Sequence, residues 1–225
     1  MTDNNDAFPV ETVLSDGSVF RVVPVDTGLR TIRAWAEHPW PISPAQALDL
    51  RDRLGWTSSP TMETLFTTDH GIDEKDASFT TIEVGRGTRT VSGFHLSLTC
   101  RIPKPVRPEA VPIAGRAFEA YVQALTAVYG KGARSRSQGV PLVTWALPSG
   151  ASVEIGTAGR VVSVDVNSPA LNEAARGEAQ YFDENDVPTP APRTTDHQPH
   201  RTGAPRPLPR LPPTAARRQA EAPGR

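Results

Sequence analysis

The sequence of 225 residues contains one cysteine, Cys100, and few aromatic residues, which make up 6% of the chain. A single thiol can form neither an internal disulfide nor a cysteine-rich zinc site. No apolar run is close in length to the roughly 18–20 residues that a membrane-spanning helix needs. The first six residues are polar and acidic, unlike a secretory signal. The composition therefore predicts a soluble, cytoplasmic protein with no membrane partner.

Motifs that would identify an enzyme are also missing. No glycine-x-serine-x-glycine turn joins a strand to a helix, and the five histidines form no evident triad or metal set. The basic segment Gly130–Arg136 follows a helix, where the helix dipole disfavours an anion. We therefore predict no catalytic residue, no cofactor, no metal and no enzymatic activity.

Proline and arginine are concentrated at the C-terminus. Val187–Arg225 holds ten of the 23 prolines, and seven arginines against two acidic residues give it a net charge of +5. The preceding 186 residues have a net charge of −6. Apart from alanine and proline, this segment contains only three apolar residues: Val187, Leu208 and Leu211. Their burial cannot offset the entropy cost of ordering the chain, which is roughly 1–2 kcal/mol per residue. We therefore predict that residues 184–225 form a disordered, basic, proline-rich tail.

The N-terminal part carries the signals of a hairpin and of a capped helix. Asp16 and Gly17 form a turn signal inside Val13–Val25, so residues 1–30 are interpreted as an N-terminal segment with a hairpin. Ser43 is a good N-cap, and the helix that it begins is predicted to run from Pro44 to Leu54.

The clearest strand is predicted at Val91–Ile102, after strands at Met62–Thr68 and Ser78–Val84. Its apolar residues, including Cys100, alternate with four polar residues: His95, Ser97, Thr99 and Arg101. This period of two predicts an antiparallel strand with one face on the core and the other in solvent. Cys100 is accordingly expected to be a core residue.

The second half predicts a long helix followed by a meander of strands. The helix spans Pro112–Tyr129, Lys131–Ser137 is interpreted as a basic loop, and a last, weak helix is predicted at Ala170–Ala179. The strands between them are Val140–Leu147, Ala151–Gly156 and Arg160–Val166. Residues 31–183 are therefore predicted to be an α+β domain of two layers, an antiparallel sheet with helices packed on one face.

Three segments together resemble a known family: Trp35–Trp56, the helix end Val128–Gly130, and Trp145–Pro169. They are similar to a family of uncharacterised actinobacterial proteins, whose layout resembles type III secretion chaperone-like domains. The resemblance covers Arg33 to Pro169. It implies a protein that binds a partner, from genomes rich in type VII secretion and toxin–immunity systems, and it implies no catalytic residue.

These observations favour a non-catalytic protein-binding module, secretion-chaperone-like or immunity-type, of an actinobacterium or its mobile elements. The acidic body favours a basic protein partner, a homodimer is a further expectation, and the overall charge of −1 disfavours nucleic acid. Leu142 and Val161 predict an apolar patch on the solvent face of the sheet, where the partner-binding residues are expected to be His95, Ser97, Thr99 and Arg101. The alternative is a small enzyme that uses the acidic loop 69–76 or the basic loop 131–136.

Overall fold

The structure is a computed structural model that describes residues 10–73, 75–85, 87–102, 108–137, 139–157 and 161–184. The described residues all belong to one compact unit, which lies within Met1–Asp186. The tail predicted at residues 184–225 lies, beyond Glu184, outside the described residues. None of the helices in the described part of the chain is long and apolar enough to cross a membrane.

Ten strands and four helices make up the described residues. In chain order they are β1 (Glu11–Val13), β2 (Val19–Arg21), α1 (Val25–Ala36), α2 (Pro44–Arg53), β3 (Thr57–Ser59), β4 (Met62–Thr67), β5 (Ala77–Val84), β6 (Thr88–Ser97), α3 (Ala110–Tyr129), β7 (Ala133–Ser137), β8 (Val140–Ala146), β9 (Ser152–Thr157), β10 (Val162–Asn167) and α4 (Pro169–Glu184).

An eight-stranded antiparallel sheet organises these elements, in the order β3-β4-β5-β6-β10-β9-β8-β7. Strands β1 and β2 form a separate hairpin. The α+β class, the antiparallel sheet and the N-terminal hairpin predicted from the sequence are therefore confirmed.

Helix α2 begins and ends where its local signals place it. The Ser43 hydroxyl accepts a hydrogen bond from the Gln46 amide, and the Gln46 side chain accepts one from the Ser43 amide. This reciprocal pair satisfies two backbone donors at the first turn. Gly55 follows the helix with a φ of 75°, a left-handed conformation that glycine adopts without strain.

Helix α1 was not expected from the sequence. Pro24 precedes it without a side-chain cap, and β-branched residues and Gly28 lower its helix propensity. Its apolar face nevertheless recurs at helical spacing and is buried, at Thr31, Ile32, Trp35 and Ala36. Packing against α3 and β10 therefore decides the conformation of this segment.

The core lies between one face of the sheet and the helices α1, α2 and α3. The Trp35 ring stacks on Phe94 of β6 with centroids 4.2 Å apart. The strand register places the buried side chains of β6, β8, β9 and β10 on the same face, and these are Phe94, Leu96, Val143, Trp145, Val153, Ile155, Val162, Val164 and Val166. Helix α3 covers them with eight buried residues of its own.

Five other features differ from what the sequence predicts. The segment predicted as a basic loop at Lys131–Ser137 forms strand β7, because its backbone pairs with β8. Strand β3 was not predicted, and α4 runs to Glu184 rather than to Ala179. Strand β6 ends at Ser97. Cys100, beyond that end, is half-buried rather than enclosed, and its thiol donates to the Ile72 carbonyl at 3.4 Å.

The contact between α1 and α3 predicts opposite effects of alanine at two helical glycines. A Cβ at Gly28 would overlap the Tyr121 ring, whose hydroxyl donates to the Val23 carbonyl at 2.9 Å. We expect Gly28→Ala to lower the free energy of unfolding by about 1–3 kcal/mol through overpacking. Gly115→Ala, in open space on α3, is the matched control.

Gly115→Ala is expected to stabilise the protein by about 0.5–1 kcal/mol, because alanine has the higher helix propensity. Urea unfolding of both variants measures the difference. Equal effects of the two substitutions would show that α1 does not pack closely on Tyr121.

Candidate functional site

The face of the sheet opposite the helices α1, α2 and α3 carries a continuous row of polar side chains. Residues directly opposite each other on antiparallel strands point to the same side of a sheet. The register aligns one residue from each of the strands β8, β9, β10, β6 and β5 in this way, and these are Thr144, Glu154, Asp165, His95 and Ser78. We call these five residues the polar row.

Two hydrogen bonds organise the polar row around two carboxylates. His95 Nδ1 lies 2.8 Å from Asp165 Oδ1, and the Thr144 hydroxyl donates to Glu154 Oε2 at 3.1 Å. The side chains of His95 and Asp165 are 42% and 44% exposed, so both reach solvent. Glu154 and Asp165 are direct cross-strand partners. The row thus places two acidic groups side by side on an accessible surface.

Mostly small residues flank the polar row on the same face of the sheet. The next aligned set is Leu142, Gly156, Ser163 and Ser97. Gly156 lies beneath the Leu142 side chain, because a Cβ there would come within 2.5 Å of Leu142 Cδ2. Gly156 and Ser163 are buried, so the accessible part of this face is the polar row itself.

Helix α4 borders this face at the ends of β8 and β9. The Ser152 hydroxyl donates to Asn172 Oδ1 at 3.1 Å, and the side-chain Nδ2 of Asn172 donates to the Gly150 carbonyl at 2.9 Å. A groove of about 410 Å³ lies along this contact, and its lining includes Thr144 of the polar row and Arg176 of α4. We call the face of the sheet opposite α1, α2 and α3 the open face, and it is concave beside α4.

The four residues predicted to bind a partner have different positions. His95 and Ser97 lie on the open face, but Thr99 is fully buried, and its Oγ1 accepts a hydrogen bond from the Val162 amide at 3.0 Å. The expectation that Thr99 faces solvent is wrong, because the chain after β2 pairs with it through a bridge to Val22. Arg101 is exposed beyond the end of β6.

The apolar patch expected on the open face stays a prediction. Leu142 and Val161 are both partly buried. The large apolar side chains that are exposed among the described residues are Val10, Val13, Val19, Met62, Val84, Val111 and Val128, and of these Val84 lies on β5 in the phase of Ser78. Glu154 and Asp165 are the residues of the polar row that sequence reasoning missed. Their polar phase within apolar strands was visible, but their alignment with His95 depends on pairing between distant segments.

In the acidic loop 69–76, the side chains of His70 and Asp76 are buried. The His70 side chain is 4% exposed, its ring packs edge-on against Trp56, and its Nδ1 lies 3.2 Å from Asp69 Oδ1. Asp76 is fully buried and accepts hydrogen bonds from the Thr68 amide at 2.9 Å and from the Thr68 hydroxyl at 2.6 Å. These contacts hold the loop against the fold, whereas a reacting group needs access to a substrate.

Burial governs the titration of His70. It lowers the pKa of the imidazole below its ordinary value, while the neighbouring carboxylates Asp69 and Asp76 oppose the shift and Arg30 adds to it. Nε2 is buried without a hydrogen-bond partner among the described residues. Protonation of Nε2 would therefore place a buried N–H donor there with no acceptor among the described residues.

A pH titration of stability tests this environment. The unfolded chain takes up a proton at His70 near pH 6.5, whereas the folded chain resists it, so the free energy of unfolding should fall as the pH decreases from 7.5 to 5.5. His70→Gln is expected to flatten this slope, measured by urea unfolding at several pH values. His38→Gln, the control for loss of one histidine, should retain it. An unchanged slope in His70→Gln would mean that His70 binds its proton equally well in the folded and in the unfolded chain.

Comparison with known families gives one match. Residues 26–168, more than half of the chain, match the model of a family described as Family of unknown function (DUF6301). The matched range contains the whole polar row, whereas the hairpin β1–β2 and helix α4 lie outside it. No curated protein and no solved structure was found to be similar to the chain. The match agrees with the expected resemblance to an uncharacterised family, while actinobacterial origin and a chaperone-like layout stay predictions.

Proposed function

The chain belongs to the DUF6301 family, and we propose that it is a non-catalytic protein-binding module that holds a basic partner on the open face of its sheet. The observation that carries the proposal is the pair of carboxylates, Glu154 and Asp165, on neighbouring strands of a face that α1, α2 and α3 leave uncovered. Such a face can be solvated without any role, so the argument depends on its charge.

Like charges placed directly opposite each other destabilise a sheet. Glu154 and Asp165 are such a pair. His95 and Thr144 each contact one carboxylate, and each of those contacts uses one carboxylate oxygen. A guanidinium or ammonium group of a partner would bridge the remaining oxygens and relieve the repulsion. The cost of the arrangement in the free protein is therefore recovered when a basic partner binds.

The shape of the surface supports a peptide or protein partner rather than a small molecule. The polar row runs across five strands, and α4 supplies a wall at one end with a groove of about 410 Å³ beside it. The net charge of −6 over the first 186 residues would steer a cationic partner toward the body from a distance.

Two biological roles fit this proposal. A secretion-chaperone-like protein would hold a basic segment in an extended form, and an immunity-type protein would cover a basic surface of a folded toxin. Both roles belong to the cytoplasm of an actinobacterium or to its mobile elements, which is the setting that we propose. The two roles share the same chemistry at the polar row and differ in whether the partner is folded.

Neutralising the two carboxylates should weaken binding of a cationic peptide. The probe is a fluorescein-labelled peptide of six Arg-Ser repeats, measured by anisotropy with the full chain. We expect Glu154→Gln/Asp165→Asn to raise the dissociation constant at least tenfold, or about 1.4 kcal/mol. The free energy of unfolding should stay equal or rise, because a like-charge contact is removed.

The matched control is Asp26→Asn/Asp49→Asn, which removes the same charge from exposed positions on α1 and α2. This control should change the dissociation constant by less than twofold. Equal weakening by both double variants would show that only the overall charge attracts the peptide, and the open face would then have no specific role.

A further inference from the structure

A second surface of opposite charge lies at the end of the sheet, on strand β7. We propose that β7 is a docking edge for an extended acidic segment of a partner protein, which adds to the sheet as a further strand. Strand β7 is the last in the sheet order, and all five of its side chains are exposed. The inference does not depend on the open face and concerns a different class of partner segment.

The outer edge of β7 is held in place before any partner arrives. The Trp145 indole donates to the Gly130 carbonyl at 2.9 Å, which anchors the chain as it leaves α3. A Cβ at Gly132 would lie 2.6 Å from Val143 and 2.7 Å from Trp145, so the backbone enters β7 in direct contact with these core side chains. All five residues of β7 pair with β8 without a register shift. A preorganised edge reduces the ordering cost of strand addition.

The side chains of β7 define what the added strand should carry. Arg134 is opposite Val143, a core residue, so Arg134 and Arg136 lie on the side of the sheet that faces the helices. Ser135 is opposite Leu142 and lies on the other side. A partner strand would therefore meet arginines at every second position. Acidic residues at alternate positions, with small residues between them, form the matching pattern.

The existing contacts of these arginines can be exchanged for contacts with a partner. Arg134 pairs with Glu119 of α3 at 3.2 Å, but both side chains are about three-fifths exposed, at 62% and 60%. Arg136 donates to the Gly139 carbonyl at 3.4 Å, which is a long contact. Exposed ion pairs contribute little to stability, so carboxylates of a partner can compete for these guanidinium groups.

A second copy of the chain is a poor occupant of this edge. In a continuous antiparallel sheet, two β7 strands would place arginine opposite arginine on the side of the helices, and like charges in that position repel. The same charges would also protect the edge against non-specific aggregation, which is the competing explanation of the pattern. The two explanations differ in whether an acidic strand binds.

The test uses two fluorescein-labelled peptides of identical composition with blocked ends, Thr-Glu-Val-Glu-Thr-Glu-Val and Glu-Glu-Glu-Thr-Val-Thr-Val. We expect the alternating peptide to bind the full chain at least tenfold more tightly than the clustered one. Its binding should slow hydrogen exchange at the outward amides of residues 133–137. Arg134→Glu/Arg136→Glu should abolish the binding, and Arg30→Glu/Arg53→Glu, the control on α1 and α2, should change it less than twofold.

Equal binding of the two peptides, or binding without slower exchange at residues 133–137, would overturn the proposal and leave the arginines as protection of the edge. If the charge-reversed variant fails to fold, Arg134→Gln/Arg136→Gln provides the same comparison. The variant Glu154→Gln/Asp165→Asn should bind the alternating peptide normally. This result separates the docking edge from the open face, because either surface can fail its test while the other passes.

Discussion

The stacking of Trp35 on Phe94 is the contact on which the arrangement of the domain depends. It joins α1 to the central strand β6, and both side chains are almost fully buried. Helix α3 completes the same layer, with Tyr121 packed against Gly28. Because the helices α1, α2 and α3 all cover the face that carries Phe94, the opposite face of the sheet is left to the polar residues. The one-sided core thus creates the surface to which we assign the function.

Register turns this exposed face into an ordered site. Side chains alternate along a strand, so a slip of one residue in β10 would move Asp165 into the core and Val164 to the surface. Burial of Val162, Val164 and Val166 prevents this slip. Asp165 is consequently fixed between Glu154 and His95. The apolar residues of the core therefore determine where the two carboxylates lie, although they touch no partner themselves.

Charge differs between the open face and the edge of the same sheet. The polar row brings two carboxylates together, whereas β7 presents Arg134 and Arg136. A binding module with both surfaces could hold a partner that carries a basic and an acidic segment, and each segment would be excluded from the other surface by repulsion. The basic edge would also oppose self-association through β7, so the charge pattern favours a partner different from the chain itself.

Local sequence signals determined the elements that form because of nearby residues. The Ser43 cap, the glycine after α2, the long apolar stripe of α3 and the alternation in β6 and β10 all predicted their structures, because caps, turns and periodic burial are visible within a few residues of the sequence.

Only the tertiary structure decided the other elements and the site. Helix α1 lacks a cap, and β7 has no apolar alternation, so the first depends on packing against α3 and the second on the free edge of β8. Thr99 has the phase of a surface residue but is covered by the chain beside Val22, and Asp165 meets His95 only because two distant strands pair. Contacts between segments far apart in the chain leave no local sequence pattern, so the tertiary structure alone brings the residues of the site together.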